Sequence, residues 1–272
     1  MSDASAVDQT WFGDFSLSLD KTAYWQIGPS EIWLTRSSQE WRFTGRTGTN
    51  PLNMTLKHLP DGGDPEPEES TVGPLRLGFK NAPERLSLLP MMADRPFVVK
   101  PATPFMLPPG QEVTLYLSTV LWLQVAVGDP SQEFLQMPLF LPSDTWFGDS
   151  TLDGEMCYAL QTSARLRLEN LPVRPHRAVS ALTVRNKSHA NLEVEKVLFP
   201  APQMSLFAGE SGHLWTESLT LVHTSEHHDA PLILKDSPPS QAGQTRKVVG
   251  PRQAAPRSIL TRAFSEMLGG GY

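Results

Sequence analysis

The chain has 272 residues, a single cysteine and a formal net charge of −6. One thiol excludes an intramolecular disulfide framework, and the longest apolar stretch, Val120 to Val127 with Gln124 inside it, is far shorter than the roughly 20 residues of a membrane-spanning helix. The 25 prolines are nearly twice the usual share of about 5%; because proline breaks helix interiors and central strands, they argue against a helical bundle and for many short elements.

The first ten residues carry neither a basic cluster nor an apolar run, so no signal peptide is expected and a cytoplasmic location is read. From Phe15 the apolar residues fall at every second position: Phe15, Leu17 and Leu19, then Trp25 and Ile27, a Gly28-Pro29 turn, Ile32 and Leu34, Trp41 and Phe43. Period two with aromatic and β-branched residues predicts an antiparallel meander. The acidic, Pro- and Gly-rich stretch 60–70 cannot bury apolar surface and is read as an exposed loop. Alternation resumes at Leu75, Leu77 and Phe79, and Arg95 to Gly110 reads as an extended connector. Val113, Leu115 and Leu117 followed by Val120, Trp122, Gln124 and Ala126 form the strongest predicted strand pair.

A second series of strands is predicted through Leu160–Leu168, Val179–Val184, Leu192–Phe199, Leu214–Val222 and Leu232–Leu234. Short strands separated by turn residues indicate an all-β protein, mainly antiparallel, with one or two sandwich- or barrel-like domains. The absence of βαβ alternation argues against a nucleotide-binding parallel sheet. The expected division is 1–140 and 141–235 for two β halves, 236–258 for a flexible linker and 259–269 for a short helix. Thr-Trp-Phe-Gly-Asp occurs at 10–14 and again at 145–149, which is compatible with a duplicated domain or with two similar turns.

The end of the chain is compositionally distinct. Arg246, Lys247, Arg252, Arg257 and Arg262 follow Gln241 with no acidic residue among them, so an acidic body carries a basic tail. Within the predicted helix Leu260, Phe264, Met267 and Leu268 share one face. Isolated helices shorter than about 12–15 residues are marginal, so this one is expected to dock on its own body or on a protein partner.

Several segments resemble a bacterial and archaeal family of unknown function, DUF432. They are Pro108–Trp122, Ser143–Tyr158, Arg165–Asn170, Arg174–Arg177 and Leu214–Glu217. The resemblance implies a fold and supplies no catalytic residue.

Arg165, Arg167 and Glu169 fall on one face of a predicted strand, with Arg174, His176 and Arg177 just downstream. Guanidinium groups suit carboxylate and phosphate, so these four arginines and the histidine are the candidate anion site; a solvated strand face is the plainer alternative. His223, His227 and His228 beside Glu226 and Asp229 could supply zinc ligands, but in a hairpin loop without fixed geometry. Cys157 would need a lowered pKa and a base to act as a nucleophile, and a small apolar filler is the commoner role. Trp25, Trp33 and Trp41 recur every eight residues and are a candidate sugar platform if exposed. No phosphate loop, dinucleotide fingerprint, nucleophile elbow, zinc-protease helix or basic-aromatic nucleic-acid patch is present, so no cofactor or nucleic acid is expected. The leading expectation is a non-catalytic interaction protein using its tail. An anion-specific enzyme or ligand binder and a carbohydrate-binding module are the rivals.

Overall fold

The computed structural model describes residues 10–60, 69–150, 153–160, 163–210, 212–224, 230–254 and 259–261. Its strands in the first third are β1 (Gly13–Ser16), β2 (Lys21–Ile27), β3 (Ser30–Arg36), β4 (Glu40–Thr47), β5 (Leu56–Leu59), β6 (Val72–Gly78) and β7 (Arg85–Met91). The middle holds β8 (Phe97–Val99), β9 (Phe105–Leu107), β10 (Glu112–Val120), β11 (Trp122–Val127), β12 (Gln132–Pro138), β13 (Asp144–Ser150) and β14 (Asp153–Ala159). The rest comprises β15 (Arg177–Asn186), β16 (Leu192–Val194), β17 (Val197–Phe199), β18 (Leu206–Gly209), β19 (Leu214–Trp215), β20 (Leu219–His223), β21 (Ala230–Leu234), β22 (Thr245–Val249) and β23 (Ile259–Thr261). The helical elements among the described residues are three-residue 3-10 turns at Leu168–Asn170, Ala201–Gln203 and Ser240–Ala242. The all-β expectation therefore holds. No helix among the described residues is long and apolar enough to cross a membrane.

The predicted meander is a five-stranded antiparallel sheet in the order β5-β2-β3-β4-β6. Gly28 and Pro29 form a two-residue hairpin loop, since Ile27 pairs with Ser30 and Gly28 has φ +59°; such loops require a positive φ at a central position. The loop sets the register and the register sets the faces. Ile32 lies opposite Trp25, so Trp33 is one residue out of step and points to the other side. Trp25 and Trp41 join the main core while Trp33 packs against Tyr24 on the reverse face, with ring centroids 5.2 Å apart and tilted by 53°. All three indoles are at most 1% exposed, which removes the sugar platform.

The largest sheet is mixed, in the order β22-β18-β19-β15-β20-β21-β23, with β10 along the other edge of β15. β19 and β20 share one edge of β15 and run parallel to it; β14 and β8 are likewise parallel, and the remaining ladders are antiparallel. β10 and β11 were expected to pair with each other. Instead the chain switches sheets at buried Leu121: β10 pairs with β15, and β11 lies between β7 and β12. Both strands are buried across nearly their whole length, which hid the change of partner in one apolar run. The principal core cluster draws on residues from Trp11 to Leu232, on both sides of position 140.

Two expectations about the C-terminal segment change. Thr245–Val249, inside the proposed flexible linker, is β22 and hydrogen-bonds along β18. Arg252 then donates from Nε to the Met92 carbonyl at 2.5 Å and from Nη1 to Gln136. The proposed helix fails at its first turn, because Ile259–Thr261 is β23, paired with β21. Leu260 is thus a strand residue, and Phe264, Met267 and Leu268 lie outside the described residues. An open sheet edge offers a row of backbone donors and acceptors that a short β-branched segment satisfies directly.

The repeated pentapeptide sits differently in its two places: residues 145–149 lie within β13, whereas residues 10–12 precede β1. In both copies the Phe is buried and the Gly has positive φ, +137° at Gly13 and +153° at Gly148. Trp11 is 3% exposed and Trp146 41% exposed, and the strands that follow find different partners, β7 for β1 and β14 for β13.

Candidate functional site

Arg174-Pro175-His176-Arg177 is a β-turn leading into β15, closed by the Arg177 amide donating to the Arg174 carbonyl at 3.1 Å. Proline's fixed φ suits the second position of such a turn. Turn closure places the first and fourth residues side by side, so the two arginines emerge together. The turn is held from outside as well. Trp11 Nε1 donates to the Pro175 carbonyl at 2.8 Å, and the Leu121 amide donates to the His176 carbonyl at 3.0 Å.

His176 is fully buried, and its Nε2 lies 3.2 Å from the Pro51 carbonyl. A carbonyl can only accept, so Nε2 carries the proton and Nδ1 the lone pair. Burial, with Arg177 and Arg174 alongside, drives its pKa down to about 3 and keeps the ring neutral. Nδ1 faces the Gly28 turn so closely that a Cβ on Gly28 would sit 2.1 Å from it. The meander's first hairpin is therefore shaped to the underside of the arginine turn.

Arg177 is 2% exposed and fastened to β10: Nε donates to the Ser118 hydroxyl at 3.0 Å and Nη2 to the Ser118 carbonyl at 2.7 Å. Burial and then the neighbouring Arg174 lower its pKa to about 10. Arg174 is 8% exposed, and burial lowers its pKa too. Its Nε and Nη1 are closed off from solvent and have no hydrogen-bond partner among the described residues. A buried cation without a counter-charge is expensive. Native structures tolerate one where a ligand supplies the missing charge.

Both arginines line a cavity of about 270 Å³. Trp11, Phe12, Met54, Leu56, Val173 and Leu214 line it with them, together with His213. Burial lowers the His213 pKa. The site thus gathers the start of β1, the approach to β5, the arginine turn and the turn before β19.

Arg165 and Arg167 do not join it. Arg165, Arg167 and Glu169 were expected on one face of a strand, with Leu166 and Leu168 on the other. Instead Arg165 makes a single bridge to Tyr116 and the chain then bends into the 3-10 turn, leaving Leu166 62% exposed. Arg167 lines a separate, open depression with Glu169, Asn170 and Gln241. The five-residue cluster therefore reduces to Arg174, His176 and Arg177. Sequence reasoning missed Trp11, Gly28 and His213. The one local signal available was the turn-forming Arg-Pro-x-Arg spacing.

The remaining candidates are placed as follows. Cys157 is fully buried; burial and then Glu155 push its thiol up to about 12, and Sγ points to the Glu155 carbonyl at 3.6 Å. This is the environment of a core filler. His223 ends β20, while His227 and His228 lie outside the described residues. Among the described residues no group of three potential metal ligands is assembled.

The fold and the site together define an all-β protein with a buried arginine pair at a small, largely apolar cavity. The chain belongs to the DUF432 family, described as a protein of unknown function, which it matches over residues 11–268. No match was found among curated proteins or among solved structures.

Proposed function

We propose that the protein binds a small anion in the cavity beside the Arg174–Arg177 turn. The observation that carries this reading is Arg174, 8% exposed and lining a cavity, with Nε and Nη1 buried and unpartnered among the described residues. Folding desolvates that charge, and among the described residues nothing hydrogen-bonds to Nε or Nη1. An anion in the cavity beside it supplies the counter-charge. His176 supports the turn as a neutral wedge, and Ser118 holds Arg177 in place.

Thermal melts of the full chain with and without anions test the reading. A ligand at a hundred times its Kd stabilises by about 2.7 kcal/mol, so millimolar anion should raise the wild-type Tm. Arg174→Met keeps the stem's packing and deletes the charge. It should melt at a higher temperature than wild type without ligand and show no anion response. A wild-type Tm indifferent to every anion tried, or an equal response in Arg174→Met, overturns the proposal.

A further inference from the structure

Resting on that anion-binding reading, we infer that the ligand is an organic carboxylate with an apolar body about one ring in size, and that the cavity selects against bare inorganic anions. Charge comes first. Arg174 and Arg177 both line the cavity and both are cationic, and the Ser118 hydroxyl and carbonyl that Arg177 engages are neutral, so the cavity presents positive charge. That charge calls for an anion, and the planar donor array of a guanidinium suits the planar carboxylate.

The walls argue for the body. Apart from the arginines, Thr10 and His213, the lining side chains that face this opening are apolar: Trp11, Phe12, Met54, Leu56, Val173 and Leu214. Trp11, Phe12 and Leu214 are buried and fixed by the core, while Met54 is 62% exposed and stands at the rim. A tetrahedral oxyanion or acetate would use the guanidinium and leave these walls wet. A ring or short alkyl chain attached to the carboxylate would remove them from water, at roughly 25 cal/mol per Å² of apolar surface covered. The volume, about 270 Å³, falls just under the range of roughly 300–1,000 Å³ typical of ligand pockets. That admits a phenyl group with a short acid-bearing arm and excludes a nucleotide. Ligand sites of this kind pair mostly apolar walls with a few placed polar groups.

Isothermal titration of the full chain with phenylacetate, acetate, inorganic phosphate and the neutral 2-phenylethanol separates the possibilities. Phenylacetate is expected to bind at least tenfold more tightly than acetate or phosphate, and 2-phenylethanol at least tenfold more weakly than phenylacetate. Leu56→Asn places a polar group on the half-buried wall and should weaken phenylacetate at least tenfold more than it weakens acetate. The wild-type series stands whether or not that variant folds. Acetate or phosphate binding as tightly as phenylacetate overturns the inference and leaves the anion site standing. Phenylacetate and 2-phenylethanol binding equally, or no acid binding at all, overturns both.

Discussion

Gly28→Ala is the substitution that most directly tests how the meander and the arginine turn are joined. The new Cβ would lie 2.1 Å from His176 Nδ1 and 2.8 Å from its Cγ, inside any permissible contact. The ring has nowhere to retreat: it is fully buried and its Nε2 is held by the Pro51 carbonyl at 3.2 Å. Gly28 also has φ +59°, where a side chain costs about 1–2 kcal/mol. Overpacking a filled interior adds about 1–3 kcal/mol, so the total is about 2–5 kcal/mol. At about 2–4 °C per kcal/mol for domains of comparable size, the Tm should fall by about 4–20 °C, measured by calorimetry at pH 7. A double-mutant cycle isolates the cause, since in a His176→Ala background only the backbone term remains and Gly28→Ala should cost at least about 1 kcal/mol less. A Tm drop under about 2 °C, or the same cost in both backgrounds, refutes the contact as the reason.

His176 also predicts a pH dependence. Its folded-state pKa of about 3 lies below the ordinary 6.5, so between those values the unfolded chain binds a proton that the folded chain does not. Stability is therefore lost as the pH falls from 6.5 towards 3, by about 3 kcal/mol at pH 4. Chemical denaturation from pH 7 to 4 should show wild type losing up to about 1.4 kcal/mol per pH unit more than His176→Gln; parallel curves would show that the imidazole titrates normally. Cys157, the sole thiol, is fully buried and pushed up to about 12. It should ignore a colorimetric disulfide reagent at pH 8 in the native protein and react stoichiometrically in guanidinium. Rapid native labelling would place it on an accessible surface.

The strand character of the chain was legible in its residues. Period-two alternation from Phe15 to Phe43 and the Gly28-Pro29 hairpin translate directly into β2, β3 and β4, because pleat geometry and turn chemistry are local properties. Proline likewise kept the described residues free of any helix longer than a 3-10 turn. The tail shows where local reasoning stops. Leu260 fits a helical face by spacing, yet residues 259–261 pair with β21 because an available sheet edge outweighs a weak intrinsic preference.

The site was beyond sequence for the same kind of reason. Arg165 and Arg174 are neighbours in the chain and occupy different surroundings, whereas Trp11 and Pro175 are 164 positions apart and share a hydrogen bond. Residue type made arginine an anion binder in principle. Which arginine is buried, unpartnered at Nε and Nη1 and walled by apolar side chains depends on strand register and on the sheet switch at Leu121. Those are cooperative properties of the packed core: a shift of one residue in a ladder turns every side chain to the opposite face. Local pattern thus determined that the chain forms sheets, and tertiary packing alone determined which two of its arginines share a cavity.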